Sequence, residues 1–205
     1  FILLVITAVA SLILGMGLPT TATYIVMASL TAPIIVQIGS MYGFFVPLIA
    51  AHLFCFYFGI LADDTPPVGL AAYAAAAIAE SKPIPTGIQG FFYDLRTAII
   101  PFFFIFNTDL ILYRIESWPL GILIFTMAVL GAFAFSSALQ GFFLTRNKWF
   151  ETPIFLLATL ILFHPGLITS LFHLPLTTKY FVYPVGILLL AGLFLGQKSR
   201  LRSKS

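Results

Sequence analysis

Charge is scarce in this chain: 8% of its 205 residues are Asp, Glu, Lys or Arg, where a soluble domain carries about 25%. With 60% hydrophobic residues, that scarcity excludes an ordinary water-soluble domain. Cysteine occurs once, so an intrachain disulfide and any multi-cysteine zinc site are excluded; Cys55 lies in an apolar run and reads as a small buried hydrophobe. No His or Glu spacing suggests zinc. A Gly-rich phosphate loop with its lysine and a nucleophile elbow are both missing, which removes support for an ATP-driven pump or a hydrolase. Short alternating strands of about 10 residues, the mark of a transmembrane barrel, are absent too. The formal charge of +3 is spread over the ends of apolar segments rather than gathered on one face, so no nucleic-acid partner is implied. The chain starts with Phe1 in apolar sequence and reads as the C-terminal part of something longer.

What is present is apolar sequence in helix-length blocks. A span takes about 20 residues, so the length allows roughly six to eight spans or half-spans of an all-α, polytopic helical membrane protein. Phe1 to Leu14 and Tyr24 to Ile38 are apolar rods of roughly 21 to 23 Å, shorter than the roughly 30 Å hydrocarbon core. Between them stand Gly15, Met16, Gly17, Leu18, Pro19, Thr20, Thr21, Ala22 and Thr23. The expectation is a re-entrant hairpin over 1–38 with its Gly-Pro-Thr tip near mid-membrane and a kink at Pro33.

Tyr42 to Ala79 is too long for one untilted span and fits one span interrupted by unwound backbone at Ala62 to Gly69. There Asp63, Asp64 and Thr65 precede Pro66 and Pro67, which cannot donate backbone hydrogen bonds and leave carbonyls free. An Asp at membrane depth costs roughly 3 kcal/mol or more unless it faces protein, water or a cation. The plainer alternative is a solvated loop in which Asp64 or Thr65 caps the next helix and Pro66 takes its first position. Lys82 to Arg96 reads as an interfacial loop, with Phe91, Phe92 and Tyr93 at headgroup level. Four spans follow: Thr97 to Tyr113, Pro119 to Phe143, Pro153 to Phe172 and Tyr180 to Gly196. The basic tail, Lys198, Arg200, Arg202 and Lys204, places the C-terminus in the cytoplasm. Counting back puts Arg146, Lys148, Lys82 and Arg96 on the same side.

Polar groups gather at only two helix breaks: Thr20, Thr21 and Thr23 at the hairpin tip, and Asp63, Asp64 and Thr65 at the unwound crossing. Helix N-termini can hold an anion, while freed carbonyls and carboxylates hold a sodium ion or a proton; equally, the threonines can simply cap the second rod. Gly17, Pro19, Pro66, Pro67 and Gly69 are structural at the breaks. His52 lies about three turns before Asp63 on one helix face and reads first as a hydrogen-bonded packing residue, second as a proton-relay member. Arg114 is expected to pair with Asp109 near the outer interface, and Ser136, Ser137 and Gln140 to bond between helices. An intramembrane aspartyl protease needs two aspartates converging from different helices, whereas Asp63 and Asp64 are neighbours that project apart.

Gly15-Met16-Gly17-Leu18-Pro19-Thr20-Thr21-Ala22, then Thr31-Ala32-Pro33, then Gly59 to Leu70 resemble the C-terminal repeat of the large membrane subunit of TRAP (tripartite ATP-independent periplasmic) transporters, in the fused-permease variant that works with a binding protein of the TAXI type. The similarity covers roughly 1–114. It implies an elevator-type fold and sodium-coupled secondary transport of organic anions, often dicarboxylates, across the bacterial inner membrane, fed by a periplasmic solute-binding protein. It also implies that Thr20, Thr21, Asp63, Asp64 and Thr65 line or neighbour the ion and substrate sites, with Asp63 and Thr65 as sodium ligands and no other cofactor. The rest of such a permease, including its first repeat, is not in this sequence. Residues 115–205 resemble the extra C-terminal region, of uncertain role, of some fused permeases. The alternative from another class is a membrane scaffold or assembly subunit whose polar breaks only turn the chain.

Overall fold

The computed structural model describes residues 1–94, 97–115, 117–173 and 175–202. Among them, regular structure is helical apart from one isolated bridge between Phe142 and Arg146. The chain divides into two compact units, Phe1–Thr108 and Asp109–Ser205.

In the first unit, α1 (Ile2–Gly15) and α2 (Thr20–Leu30) are joined by a turn at Met16 to Pro19, and α3 (Ala32–Met41) continues from α2 through Thr31. Gly17 takes φ +79° in that turn, a left-handed conformation that glycine adopts without a Cβ penalty. The break is shorter than the expected Gly15 to Thr23, because helix resumes at Thr20. Thr23 adds a hydroxyl bond to the Pro19 carbonyl at 3.3 Å, beside the backbone bond from its own N–H at 3.0 Å. The second arm therefore runs from Thr20 to Met41 over 22 residues, long and apolar enough to cross a membrane, rather than as the short rod expected from Tyr24. At its joint the Thr31 hydroxyl returns to the Met27 carbonyl at 2.6 Å. Such a bond lets a helix bend without orphaning its groups, one residue ahead of the segment that carries Pro33.

α4 (Leu48–Asp64) is the post around which this unit is built: α1, α2, α3 and α7 (Ile100–Phe106) all pack on it. Its Ala50, Ala51, Phe54, Cys55 and Ala62 are fully buried. The small side chains of Ala50, Ala51, Cys55 and Ala62 let backbones approach, which is how helices associate where lipid offers no hydrophobic drive. Gly15 shows the tightest approach, since a Cβ placed there would lie 2.5 Å from the Ala62 Cβ and 2.7 Å from the Thr23 methyl.

α4 ends at the Asp pair, and α5 (Leu70–Ile78) begins after a cis Pro66-Pro67 peptide. α6 (Pro83–Asp94) replaces the expected interfacial loop. Its prolines, Pro83 and Pro85, stand in the first turn, where backbone N–H groups have no intrahelical partner to lose. Arg96, the end of that expected loop, lies outside the described residues. The expected span from Thr97 is likewise not one helix: after a short 3-10 turn, α7 is only Ile100–Phe106, and Thr108–Ile111 is a second 3-10 turn.

The second unit is a three-helix layer of α8 (Trp118–Gln140), α9 (Glu151–Phe163) and α11 (Tyr183–Arg202), with α9 packed against both others. Ala134, Ala138, Phe155, Ala158 and Leu193 form one core cluster and Met127, Leu162 and Tyr183 another. The expected single span from Pro153 to Phe172 bends by 97° between α9 and α10 (Pro165–Leu171). Pro165 cannot continue the α9 hydrogen-bond ladder, and the His164 Nδ1 accepts the Leu167 N–H at 2.9 Å to start the new helix. Three helices, Thr20–Met41, Trp118–Gln140 and Lys179–Arg202, are long and apolar enough to cross a membrane, or up to five spans if bent pairs are counted. The chain is an all-α polytopic membrane protein.

Candidate functional site

The two breaks meet. Antiparallel packing of α2 on α4 brings the start of one beside the end of the other, and Thr20 Oγ1 donates a hydrogen bond to Asp63 Oδ2. The carboxylate thus sits at the N-terminus of α2, where backbone N–H groups without intrahelical partners favour negative charge. The other carboxylate oxygen, Asp63 Oδ1, is buried and has no hydrogen-bond partner among the described residues. A buried carboxylate oxygen without a donor is costly, and it is the one feature of the site that calls for a ligand.

The remaining candidates separate from this pair. Thr65 is buried, its hydroxyl donating to the Leu61 carbonyl at 2.7 Å and its N–H to the Ala62 carbonyl at 3.2 Å, so it closes the last turn of α4. Its oxygen keeps acceptor lone pairs after donating. Asp64 lies beside Asp94 of α6 rather than at the Thr20 junction. Thr21 is exposed on α2. Neither Asp64 nor Thr65 caps the following helix: Gly69 is the N-cap of α5, with no side-chain bond, and Pro66 is not in the helix. Gly69 passes so close to α4 that a Cβ would lie 2.9 Å from the Asp63 carbonyl oxygen and 3.2 Å from the Asp64 Cα. Pro19 is the N-cap residue of α2, and Gly17 faces Val68, whose methyl would be 3.2 Å from a Cβ there. Among the described residues no group of three or more His, Cys, Asp and Glu stands together.

One turn along α2, Tyr24 bonds through its hydroxyl with His52 Nδ1 at 3.0 Å and sets its ring edge-on to Phe56. Tyr24 was not a sequence candidate. Its signal was its spacing of four from Thr20, which puts both on one face of α2, as the spacing of 11 does for His52 and Asp63 on α4. Asp94, the neighbour of Asp64, carries no such signal, because the composition of its segment reads as a loop.

In the second unit, Asp109 pairs with Lys179 rather than with the expected Arg114, and Tyr180 donates to the same carboxylate oxygen at 3.2 Å. Arg114 lies instead over the Tyr113 ring, 5.4 Å from its centre. Ser137 bonds within its own helix, to the Phe133 carbonyl at 2.8 Å, not between helices.

Interrupted helices that bring a carboxylate to a helix N-terminus are a feature that secondary transporters use where ions and substrates bind. The comparisons bear on that class directly. The family model described as "Tripartite ATP-independent periplasmic transporter, DctM component" matches residues 1–119, and a second, "Domain of unknown function (DUF3394)", matches 121–179. The first takes in more than half of the chain, and the chain belongs to this family, which is one of transporters rather than enzymes. No curated protein and no solved structure matches.

Proposed function

We propose that this chain takes part in sodium-coupled uptake of an organic anion, of the carboxylate class, through a permease of the bacterial inner membrane. The observation that carries the reading is the Thr20–Asp63 junction, with a buried Asp63 Oδ1 that has no partner among the described residues. Asp63, with the spare lone pairs of Thr65 and carbonyls released by Pro66 and Pro67, supplies hard oxygen ligands for a monovalent cation. The N-terminus of α2, whose charge Asp63 partly offsets in the empty state, becomes free to meet a substrate carboxylate once a cation draws the Asp63 charge to itself. Sodium and substrate then favour each other's binding at the same junction, and hairpin and broken helix move together as one rigid element. A periplasmic binding protein, of the TAXI type by the resemblance of the motifs, delivers the anion. Sodium is the coupling ion, and the basic tail lies in the cytoplasm.

The test is uptake of radiolabelled dicarboxylates and keto acids by the full-length permease in proteoliposomes, with its binding protein, with and without an inward sodium gradient. Uptake that requires the sodium gradient supports the reading. Uptake driven by a pH gradient and indifferent to sodium overturns the choice of ion, and membrane insertion with no uptake of any such anion favours a scaffold.

A further inference from the structure

One end of the second unit is basic. Gln197, near the end of α11, accepts the Leu144 and Thr145 N–H groups, both at 3.0 Å, which fixes the loop between α8 and α9 beside the α11 terminus. Arg146 and Lys148 of that loop and Lys198, Arg200 and Arg202 of α11 therefore share one end. The acidic side chain facing them among the described residues is Glu151, buried and engaged by Arg200, the Lys148 N–H at 2.9 Å and the Gln197 amide at 3.0 Å. Lys148 lies 5.8 Å from the centre of the Phe150 ring and has no ion pair among the described residues.

From this end a groove of about 520 Å³ runs between α9 and α11. Lys148, Ser199, Arg200 and the Glu151 carboxylate that Arg200 neutralises line its polar end, and Ile154, Leu189 and Leu193 line its apolar part. It is kept open by Gly192 and Gly196, where an added Cβ would meet nothing within 4 Å. Along α11 it reaches from Arg200 to Leu188, 12 residues or about 18 Å, close to the roughly 15 Å depth of one leaflet's hydrocarbon. A cationic mouth on an apolar furrow of one-leaflet depth matches an amphiphile with an anionic head and an acyl chain. A peptide would not need charge confined to one end.

We propose that this groove holds an anionic phospholipid, its phosphate at Lys148 and Arg200 and one acyl chain along Gly192 and Gly196. The site lies in the second unit and stands whether or not the sodium reading holds. The test is native mass spectrometry of the detergent-purified full-length permease, titrated with dioleoyl phosphatidylglycerol or dioleoyl phosphatidylcholine. At one site, phosphatidylglycerol is expected to bind about fivefold more tightly than phosphatidylcholine, as the one groove cation without a carboxylate partner among the described residues, Lys148, implies, and millimolar glycerol phosphate should not displace it. Lys148→Gln should weaken phosphatidylglycerol alone, by about fivefold. Gly192→Leu with Gly196→Leu should weaken both lipids, and these changes fill open space with a better helix former. Equal affinity for the two lipids, displacement by glycerol phosphate, or phosphatidylglycerol binding unchanged by Lys148→Gln would each overturn the proposal. A groove already filled by a second copy or by another part of the permease would show as lipid binding indifferent to all three substitutions, and overturns it equally.

Discussion

Thr20 and Asp63 are 43 positions apart and joined by a hydrogen bond across the junction of two broken helices. Hydrogen bonds to charged groups are worth about 1.5–3 kcal/mol net, and this one holds the Asp63 side chain, whose second oxygen has no partner among the described residues. Asp63→Asn in the full-length permease removes the charge while keeping the shape, and should abolish sodium-dependent uptake without lowering the amount of protein in the membrane. Thr20→Val should leave transport intact but raise the sodium concentration for half-maximal uptake by about 10- to 100-fold. The paired readout is uptake against sodium concentration, with immunoblots of the membrane fraction. Wild-type sodium dependence in both variants removes Asp63 from the ion site.

Asp64→Asn separates two neighbours that sequence alone treats alike. Its carboxyl is directed to Asp94 rather than to the Thr20 junction, so the sodium dependence of uptake should shift less than threefold on its loss, well short of the Asp63 effect. An Asp64 variant as inactive as the Asp63 one, at equal membrane levels, would mean that both carboxylates face the transported ion.

The junction depends on how closely α1 approaches α4. Gly15→Ala adds a Cβ 2.5 Å from that of Ala62 and 2.7 Å from the Thr23 methyl, and overpacking of this kind costs typically 1–3 kcal/mol. The turn carrying Thr20 must then move off Asp63. Thermal stability in detergent should fall by several degrees and uptake with it, whereas Gly90→Ala, with open space around the new Cβ, should change neither. Equal behaviour of the two variants would show that hairpin and α4 do not pack as described.

How much of this was legible beforehand depends on the kind of signal. Breaks at Pro19 and at Pro66-Pro67 are local chemistry, so Thr20 and Asp63 could be singled out one at a time. That they meet could not: the pairing rests on the register of α2 against α4, set by Gly15, Gly59 and Thr23 packing across 40 residues of intervening chain. That Asp63 and Asp64 project apart follows from the roughly 100° between consecutive helical positions, but which of the two carboxylates meets Thr20 depends on the same register. α6 was hidden by Pro83, Pro85, Gly87 and Gly90, all counted as breakers, although the prolines fall in the first turn and Gly87 admits the Ala72 methyl, 3.2 Å from a Cβ built there. At His164 the Pro165-Gly166 pair marks a turn in the sequence, but its angle of 97° is visible only in the structure. Arg114 was matched to Asp109 by nearness in sequence, and Lys179, 70 residues on, holds that carboxylate instead.

The Asp109–Lys179 pair is only partly exposed, at 13% and 27% of the two side chains, so removing one partner should cost more than removing both. Asp109→Asn strands the Lys179 ammonium and also weakens the Tyr180 hydroxyl bond. Lys179→Met leaves Asp109 with Tyr180 alone. The double variant should be more stable than the sum of the single losses predicts, by about 1–2 kcal/mol, as measured by thermal unfolding of the permease in detergent. Strict additivity would place both groups in water, without an energetic link.

Gln197 makes the sharpest demand on stability. Fully buried, its side-chain oxygen accepts two backbone N–H groups, while its amide nitrogen donates to Asn147 Oδ1 at 2.9 Å and to Glu151 Oε2 at 3.0 Å. Gln197→Leu has similar bulk but leaves the Leu144 and Thr145 N–H groups without their acceptor, each unmet group costing about 1–3 kcal/mol, and takes one donor from Glu151 Oε2, which keeps the Lys148 N–H. The loop over 141–150 should then exchange its amide hydrogens far faster and become the first site of proteolysis, while the helices α8 and α9 stay protected. Gln197→Glu is the discriminating control. Its carboxylate still accepts the two N–H groups but brings a second negative charge against Glu151, so the loop should be partly restored only when Glu151→Gln is added. Rescue in that double variant would show that the amide serves both as acceptor for the loop and as neutral neighbour of Glu151; failure of rescue would mean that Gln197 acts through its bulk alone.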